Sequence, residues 1–515
     1  MLPAVVWCQY HVVKLPPWLW KRLTSRWCKR LMLGLLILVV VGIPAFYGIA
    51  NEWGERRFDA EVLSLKAAGL PVSLDDAFGP PPPAAEDVFE HPTFKSEMAK
   101  DEITRFTSLD VPGISKTERL WKPEPARGKV SDVRQLADPP RPDDPEPEVA
   151  RALLVKAQPL SDRFDLAMEG LGRPTANLHP GRHNVMTIPF PSVKLLGFCG
   201  FAGDRARLRL AAGDAEGAYQ DGLRIIDLEN LIARNRPLLI DGLLIRTIEW
   251  SVQSVIWEGI ARHGWTDSQL TDLQTNLSRI DLCQVAISAA RTEIAFGITF
   301  TREATDRPGH FKDVQAWPDL GKNLWEKIRD RDMSGVNGAL GEVWYKVRPW
   351  GVDLEVAARQ FEGMAKDGLD LRPDGHFTAD DYEKFQRVGG EFAPGRFEAV
   401  GGMALMNIAK ISVEGETQRS LLKCGIALER YRLKHGETPD RLDVLVPEFL
   451  PAVPRDISDG QPLRYQRLPD GAPHIWSIWP SGRDESGMPN AQKTHNSVWT
   501  TGQIPGLTDA VYRRP

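Results

Sequence analysis

Between Leu31 and Ala50 the chain reads LMLGLLILVVVGIPAFYGIA, twenty residues without a charge. At 1.5 Å rise per residue, a helix of this length matches the roughly 30 Å hydrocarbon core of a bilayer. Lys14, Lys21, Arg22, Arg26, Lys29 and Arg30 precede the run without any acid, whereas Glu52 and Glu55 follow it beside Arg56 and Arg57. Positive charge stays on the cytoplasmic side, so this bias predicts a cytoplasmic N-terminus and places residues 51–515 across the membrane. Trp18, Trp20, Trp27, Tyr47 and Trp53 flank the run, where aromatic rings sit at headgroup level. A cleaved signal peptide is the competing reading, because Gly48-Ile49-Ala50 has the shape of a cleavage site. The apolar run is longer than such signals need, which favours a retained anchor.

A chain of 515 residues exceeds one core and predicts two or three folded units. Its formal net charge of −5 and the lack of a basic stretch beyond residue 30 argue against nucleic-acid binding, which relies on clustered Lys and Arg. Of five cysteines, Cys8 and Cys28 precede the membrane run, and Cys199, Cys283 and Cys424 are widely spaced. Neither a disulfide framework nor a structural zinc site is expected from such a pattern.

The patterning divides the rest of the chain. Residues 1–30 form a basic tail, 31–50 the transmembrane helix and 51–77 a stalk helix that ends at Gly69 with Pro71 beyond. Residues 78–147, which include Pro80 to Pro83 and the DPPRPDDPEPE segment, read as a largely irregular proline-rich linker with short ordered pieces at best. Helical periodicity then fills residues 148–394. Asp214 is placed to cap a helix after Gly213, which makes an antiparallel hairpin whose small residues resemble half of a tetratricopeptide-type unit. Residues 237–262 are apolar on most faces and predict a buried helix. Thr266-Asp267-Ser268-Gln269 has the form of a capping box. Further helices are expected over 283–304, 322–347, 351–366 and 378–391.

Residues 395–488 predict a long helix followed by an α+β module. Leu421, Cys424, Leu428 and Tyr431 share one helical face, and Gly436 can take the left-handed closing position. Thr438-Pro439 is expected to cap a short helix with Leu442 and Leu445 inward. Alternation over 462–468 and 474–479, with Pro469-Asp470-Gly471 between, predicts a β-hairpin. Residues 489–515 read as an irregular tail. The fold expected is therefore mainly α, with one membrane helix, a helical bundle outside the cytoplasm and a small terminal α+β module.

Tyr431, Gly436, Pro439, Leu442, Leu445, Pro454, Asp456, Gly460, Tyr465, Ser477, Gly482 and Asp484 give this last module its likeness. It resembles the C-terminal globular part of the major pseudopilin of type II secretion systems. The resemblance covers about an eighth of the chain and implies a component of a secretion or pilus-like envelope apparatus. The whole layout also resembles large membrane-anchored proteins of planctomycete-like bacteria, a likeness that brings no activity with it. In pseudopilins a loop near the C-terminus can hold calcium. The corresponding stretch here, residues 481–489 with Asp484 and Glu485, offers only two carboxylates and reads as a solvated acidic turn.

No G-x-S-x-G, H-E-x-x-H, P-loop or G-x-G-x-x-G motif occurs, so no catalytic, cofactor or metal residues are assigned. Three weaker groupings of polar residues remain. His179 and His183 lack the helix that would aim both at one metal, because Pro180 and Gly181 intervene. Arg246, Glu249 and Gln253 form a polar stripe on an apolar helix, and Arg291 and Glu293 lie on another helix that could face it. A buried carboxylate there could act as an acid or base, although an ion pair within the bundle is the commoner outcome. Asp380, Asp381 and Glu383 follow Thr378 in the opening turns of a helix, where acids oppose the dipole. A structural or protein-interaction role with partners in the cell envelope is the leading expectation. A hydrolase or transferase using Glu249 or Glu293 is the alternative.

Overall fold

The computed structural model describes residues 30, 33–34, 37–99, 147–179, 191–306, 350–363, 398–457, 459–468, 471, 473–480 and 509–513. The helices expected over 322–347 and 378–391 lie outside these residues, as do His183, Asp380, Asp381, Glu383, Asp484 and Glu485. The chain divides into two compact units, residues 1–64 with 304–359 and residues 65–303 with 360–515.

In the first unit a π-helical turn, Leu38–Gly42, leads into α1, Ile43–Ala67. Asn51 of this helix accepts a hydrogen bond through Oδ1 from the Gly351 amide of α11, Trp350–Gly363, at 2.9 Å. Gly54 permits the approach, because a Cβ there would stand 1.9 Å from the Gly351 carbonyl oxygen. Ile37, Leu38, Val40, Val41, Ile43, Phe46 and Ile49 are all exposed, Ile49 by 70%. Among the described residues no helix is long and apolar enough to cross a membrane, and residues 31, 32, 35 and 36 of the apolar run lie outside them.

The second unit is a helical body with a small sheet. Its helices are α2 (Leu74–Phe78), α3 (Pro92–Met98), α4 (Pro147–Lys156), α5 (Gln158–Met168), α6 (Pro191–Ala212), α7 (Ala215–Arg234), α8 (Leu239–Ala261), α9 (Asp267–Leu277), α10 (Leu282–Asp306) and α12 (Glu398–His435). Asp214 caps α7 by accepting from the Gly217 amide at 2.9 Å, so α6 and α7 form the expected hairpin. The capping box of α9 is present, Thr266 with Gln269. Helix α8 packs against α6, α7 and α12, and is buried around its whole circumference from Ile248 through Ala261 apart from isolated positions.

Helix α12 is 38 residues long, about 57 Å by helical rise. It packs on α8 and α9 and also on the sheet. Gly425 makes the α8 contact possible, since a Cβ at that position would meet the Trp257 ring at 2.2 Å. One apolar core therefore runs from Val88 and Phe94 through α6 to α9 and on to Leu421, Leu445 and Ile475. The boundary expected near residue 395 is not a break in packing.

Gly436 takes φ +81° and ends α12. The following 3-10 turn, Leu442–Leu445, buries Leu442 and Leu445 as expected, but Thr438 does not cap it. Its hydroxyl donates instead to the Gly471 carbonyl at 2.6 Å, because the hairpin turn folds back over it. Strands β1 (Arg464–Arg467) and β2 (Pro473–Pro480) pair antiparallel with Arg464 opposite Trp476, which is the expected hairpin. Strand β3, Asp509–Arg513, adds to β2 within the stretch expected to be irregular. Asp456, one of the residues that carry the pseudopilin likeness, ties its loop to β2 by accepting from Ser477 Oγ at 2.9 Å and the Ile478 amide at 2.8 Å.

Residues 88–98 are short ordered pieces of the kind expected within the 78–147 linker, and they pack into the core. Val88 and Phe94 are fully buried, and Pro92 starts α3 from its first turn, where a missing N–H costs nothing.

Candidate functional site

Two regions of the body hold the carboxylates that the sequence marks for chemistry. The first lies where α7, α8 and α12 meet. Arg419 of α12, fully buried, donates through Nη2 to both oxygens of Glu229 at 2.7 and 2.8 Å and pairs with Glu249. Its Nη1 reaches the Leu277 and Ile280 carbonyls at 3.3 and 3.4 Å. Gln253, one turn along α8, donates to Glu249 Oε1 at 2.8 Å, and Arg246 donates to Gln418 Oε1 at 2.8 Å. Burial pushes the Glu229 carboxyl well above the usual range, against the Arg419 charge and with the help of Glu249. Burial acts on Glu249 the same way, but the Arg419 charge and its hydrogen bond outweigh it and hold that carboxyl below the usual range. The cluster is a closed ion-pair network.

The second region surrounds the first turn of α8. Asp241 accepts from the Leu238 amide at 2.8 Å and from Ser192 Oγ at 2.5 Å. His179 Nε2 stands 3.1 Å from Asp241 Oδ2. Glu293, reaching from α10, accepts from the Leu239 amide at 3.2 Å. Two carboxylates thus meet the amides that open a helix, where negative charge is favoured. Burial, reinforced by Asp241, raises the Glu293 carboxyl to about 7. Beside His179 opens a cleft of about 370 Å³, walled by residues 78–83, 86, 175–179 and 234–236.

The expected stripe is therefore half correct. Arg246, Glu249 and Gln253 do share one buried face, but Glu293 and Arg291 do not face it. Glu293 serves the start of α8, ten residues and about 15 Å of rise from Glu249, and Arg291 is exposed. His179 is buried against Phe78, ring centroids 4.6 Å apart. The partners of Glu249 were missed, although their signal exists. Glu229 sits among Ile225, Ile226 and Ile232, and Arg419 precedes Leu422 and Ile426 at i+3 and i+7, so each is a charge on an apolar stripe. Among the described residues no group of three or more His, Cys, Asp or Glu could hold a metal ion. Neither family models, nor curated proteins, nor solved structures give a match to this chain.

Proposed function

We propose that this protein is a membrane-tethered structural or protein-interaction protein, with residues 31–50 in the bilayer, the N-terminus in the cytoplasm and the helical body working outside it through partners in the cell envelope. The observation that carries this reading is the closure of the Glu249 site. The carboxylate that the sequence marks for chemistry has no solvent-facing surface and is paired with Arg419, so it acts as a fastener between helices. The exposed apolar side chains from Ile37 to Ile49 support the tether, since side chains of this kind left in water would favour association. The shared helix α12 supports a rigid platform.

Reporter fusions after residue 30 and at the C-terminus, together with the mass of the mature chain, test the topology. The C-terminal reporter is expected to be active only outside, with residues 1–50 retained. A C-terminal reporter active in the cytoplasm would sink the reading. The enzymatic alternative is tested by Glu249→Gln, which should lower stability and leave every activity of the chain unchanged. A lost activity in a variant with unaltered circular dichroism would reverse that conclusion. A second reading, a component of a secretion or pilus-like apparatus, is favoured by the way the long helix α12 is followed, after the 3-10 turn, by an antiparallel sheet that packs on it. Copurification with a secretion platform after detergent extraction is its test.

A further inference from the structure

The cleft beside His179 is held open by bonds that link distant parts of the chain. Gly79, at φ +66°, closes α2 by donating to the Asp75 carbonyl at 2.8 Å, and Pro80 to Pro83 then form one wall. The Pro83 carbonyl accepts from the Glu86 and Asp87 amides at 2.8 and 3.1 Å, which ends the proline run in a turn. Arg173 clamps that turn from outside through the Ala84 and Asp87 carbonyls, at 2.8 and 2.7 Å. The facing wall is fixed by Thr175, whose hydroxyl donates to the Glu86 carbonyl at 2.8 Å, and by Asn235, which accepts from the Ala176 amide at 3.1 Å. A preformed concavity of this kind loses little order on binding.

Its chemistry is lopsided. Proline rings carry no N–H, so one wall is apolar and offers only carbonyl acceptors. Phe78 and the His179 ring add an aromatic end. The strong donors are Arg234 and Arg236 at the end of α7, and Glu86 is the acid at the rim. Asp241 stands 3.1 Å from the His179 ring and accepts from Ser192 and the Leu238 amide. Arg236 holds a left-handed backbone, φ +54°, which costs a non-glycine residue energy and is retained where surrounding contacts impose it. Its Nη1 is fixed on the Ala77 carbonyl at 2.8 Å, so the guanidinium plane is oriented before any ligand arrives, with a second edge for a carboxylate.

We propose that this cleft binds a carboxylate carried on a flat apolar group, the acid on the Arg236 guanidinium and the apolar body against Phe78 and the proline rings. Such a group comes either from a free aromatic acid or from the last residue of a peptide. About 370 Å³ lies near the lower end of ligand-site volumes and suits a group of that size. The site is independent of the Arg419 network, so it stands or falls apart from the scaffold reading.

Calorimetric titration of the full chain in lipid nanodiscs tests it, with 3-phenylpropionate and N-acetyl-Gly-Phe as probes and their neutral amides as controls. Both acids should bind with Kd of about 1 mM or tighter, and the amides at least about ten-fold more weakly. The acid that binds tighter identifies the source, free acid or peptide terminus. Arg236→Gln should bring the acids to the affinity of the amides. Glu86→Gln, an exposed change that leaves the fold intact, should tighten the acids roughly two- to five-fold by removing a like charge. The proposal is overturned if neither acid binds below about 10 mM, if acids and amides bind alike, if Arg236→Gln leaves acid affinity unchanged, or if Glu86→Gln does not tighten it.

Discussion

Without the Arg419 guanidinium, Glu229 and Glu249 would lose the cation that bonds to both of them in a site that water does not reach. Arg419→Met is therefore expected to lower stability by about 3–5 kcal/mol in chemical denaturation, the usual cost of orphaning a buried charge. Adding Glu229→Gln and Glu249→Gln should recover most of that loss, because the expense lies in the unpaired carboxylates. Glu293 makes a prediction in pH. Its folded value of about 7 lies above the ordinary 4.5, so the fold prefers the protonated form. Stability from this group is fully present below about 4.5 and is lost as pH rises through about 7. The shift corresponds to at most about 3 kcal/mol, reduced to roughly 1–2 by partial exposure. Glu293→Gln should raise the Tm at pH 8 and leave it unchanged at pH 4.5, read by calorimetry. The sequence marked Glu249 and Glu293 as carboxylates on apolar helices, and both are. It could not say that one would meet Arg419 and the other a helix terminus, since pairing across 170 and 54 residues is decided by packing and not by spacing.

At the scale of elements, local rules were legible where the chain satisfies itself locally. Asp214, Thr266 with Gln269 and Gly436 act within a few residues of themselves, and each was readable from type and position. Asp214→Ala should cost about 1 kcal/mol, measured as a shift in the denaturation midpoint. Thr438 shows the limit, because a partner from the distant hairpin took its hydroxyl. Residues 88–98 show another. Proline content left room for only short ordered pieces and gave them no partner, whereas Phe94 stacks on Phe198 with ring centroids 5.5 Å apart, a contact no local pattern reveals. The junction of α8 and α12 gives a sharper test. Gly425→Ala should cost on the order of 1–3 kcal/mol by overpacking against Trp257, and Trp257→Leu in the same chain should relieve part of it in a double-mutant cycle.

For the molecule as a whole, the continuity of the core through α12 means that the terminal module is not a separable domain. A fragment of residues 395–488 would expose Leu421, Leu422, Cys424 and Leu428, which are buried in the intact chain. Its amide exchange should show no protected core, whereas the same residues in the full chain should be among the slowest to exchange. The sequence separated helical and α+β regions because their periods differ, and periods say nothing about whether two regions share a core. The position of α12 also has a consequence in time. Helices α6 to α9 leave the ribosome first, and the helix that closes them follows more than a hundred residues later, on the order of ten seconds at ordinary elongation rates. Through that interval Trp257 lacks its cover and Glu229 and Glu249 lack the Arg419 cation, so the newborn chain presents to any chaperone an apolar groove with negative charge at its centre.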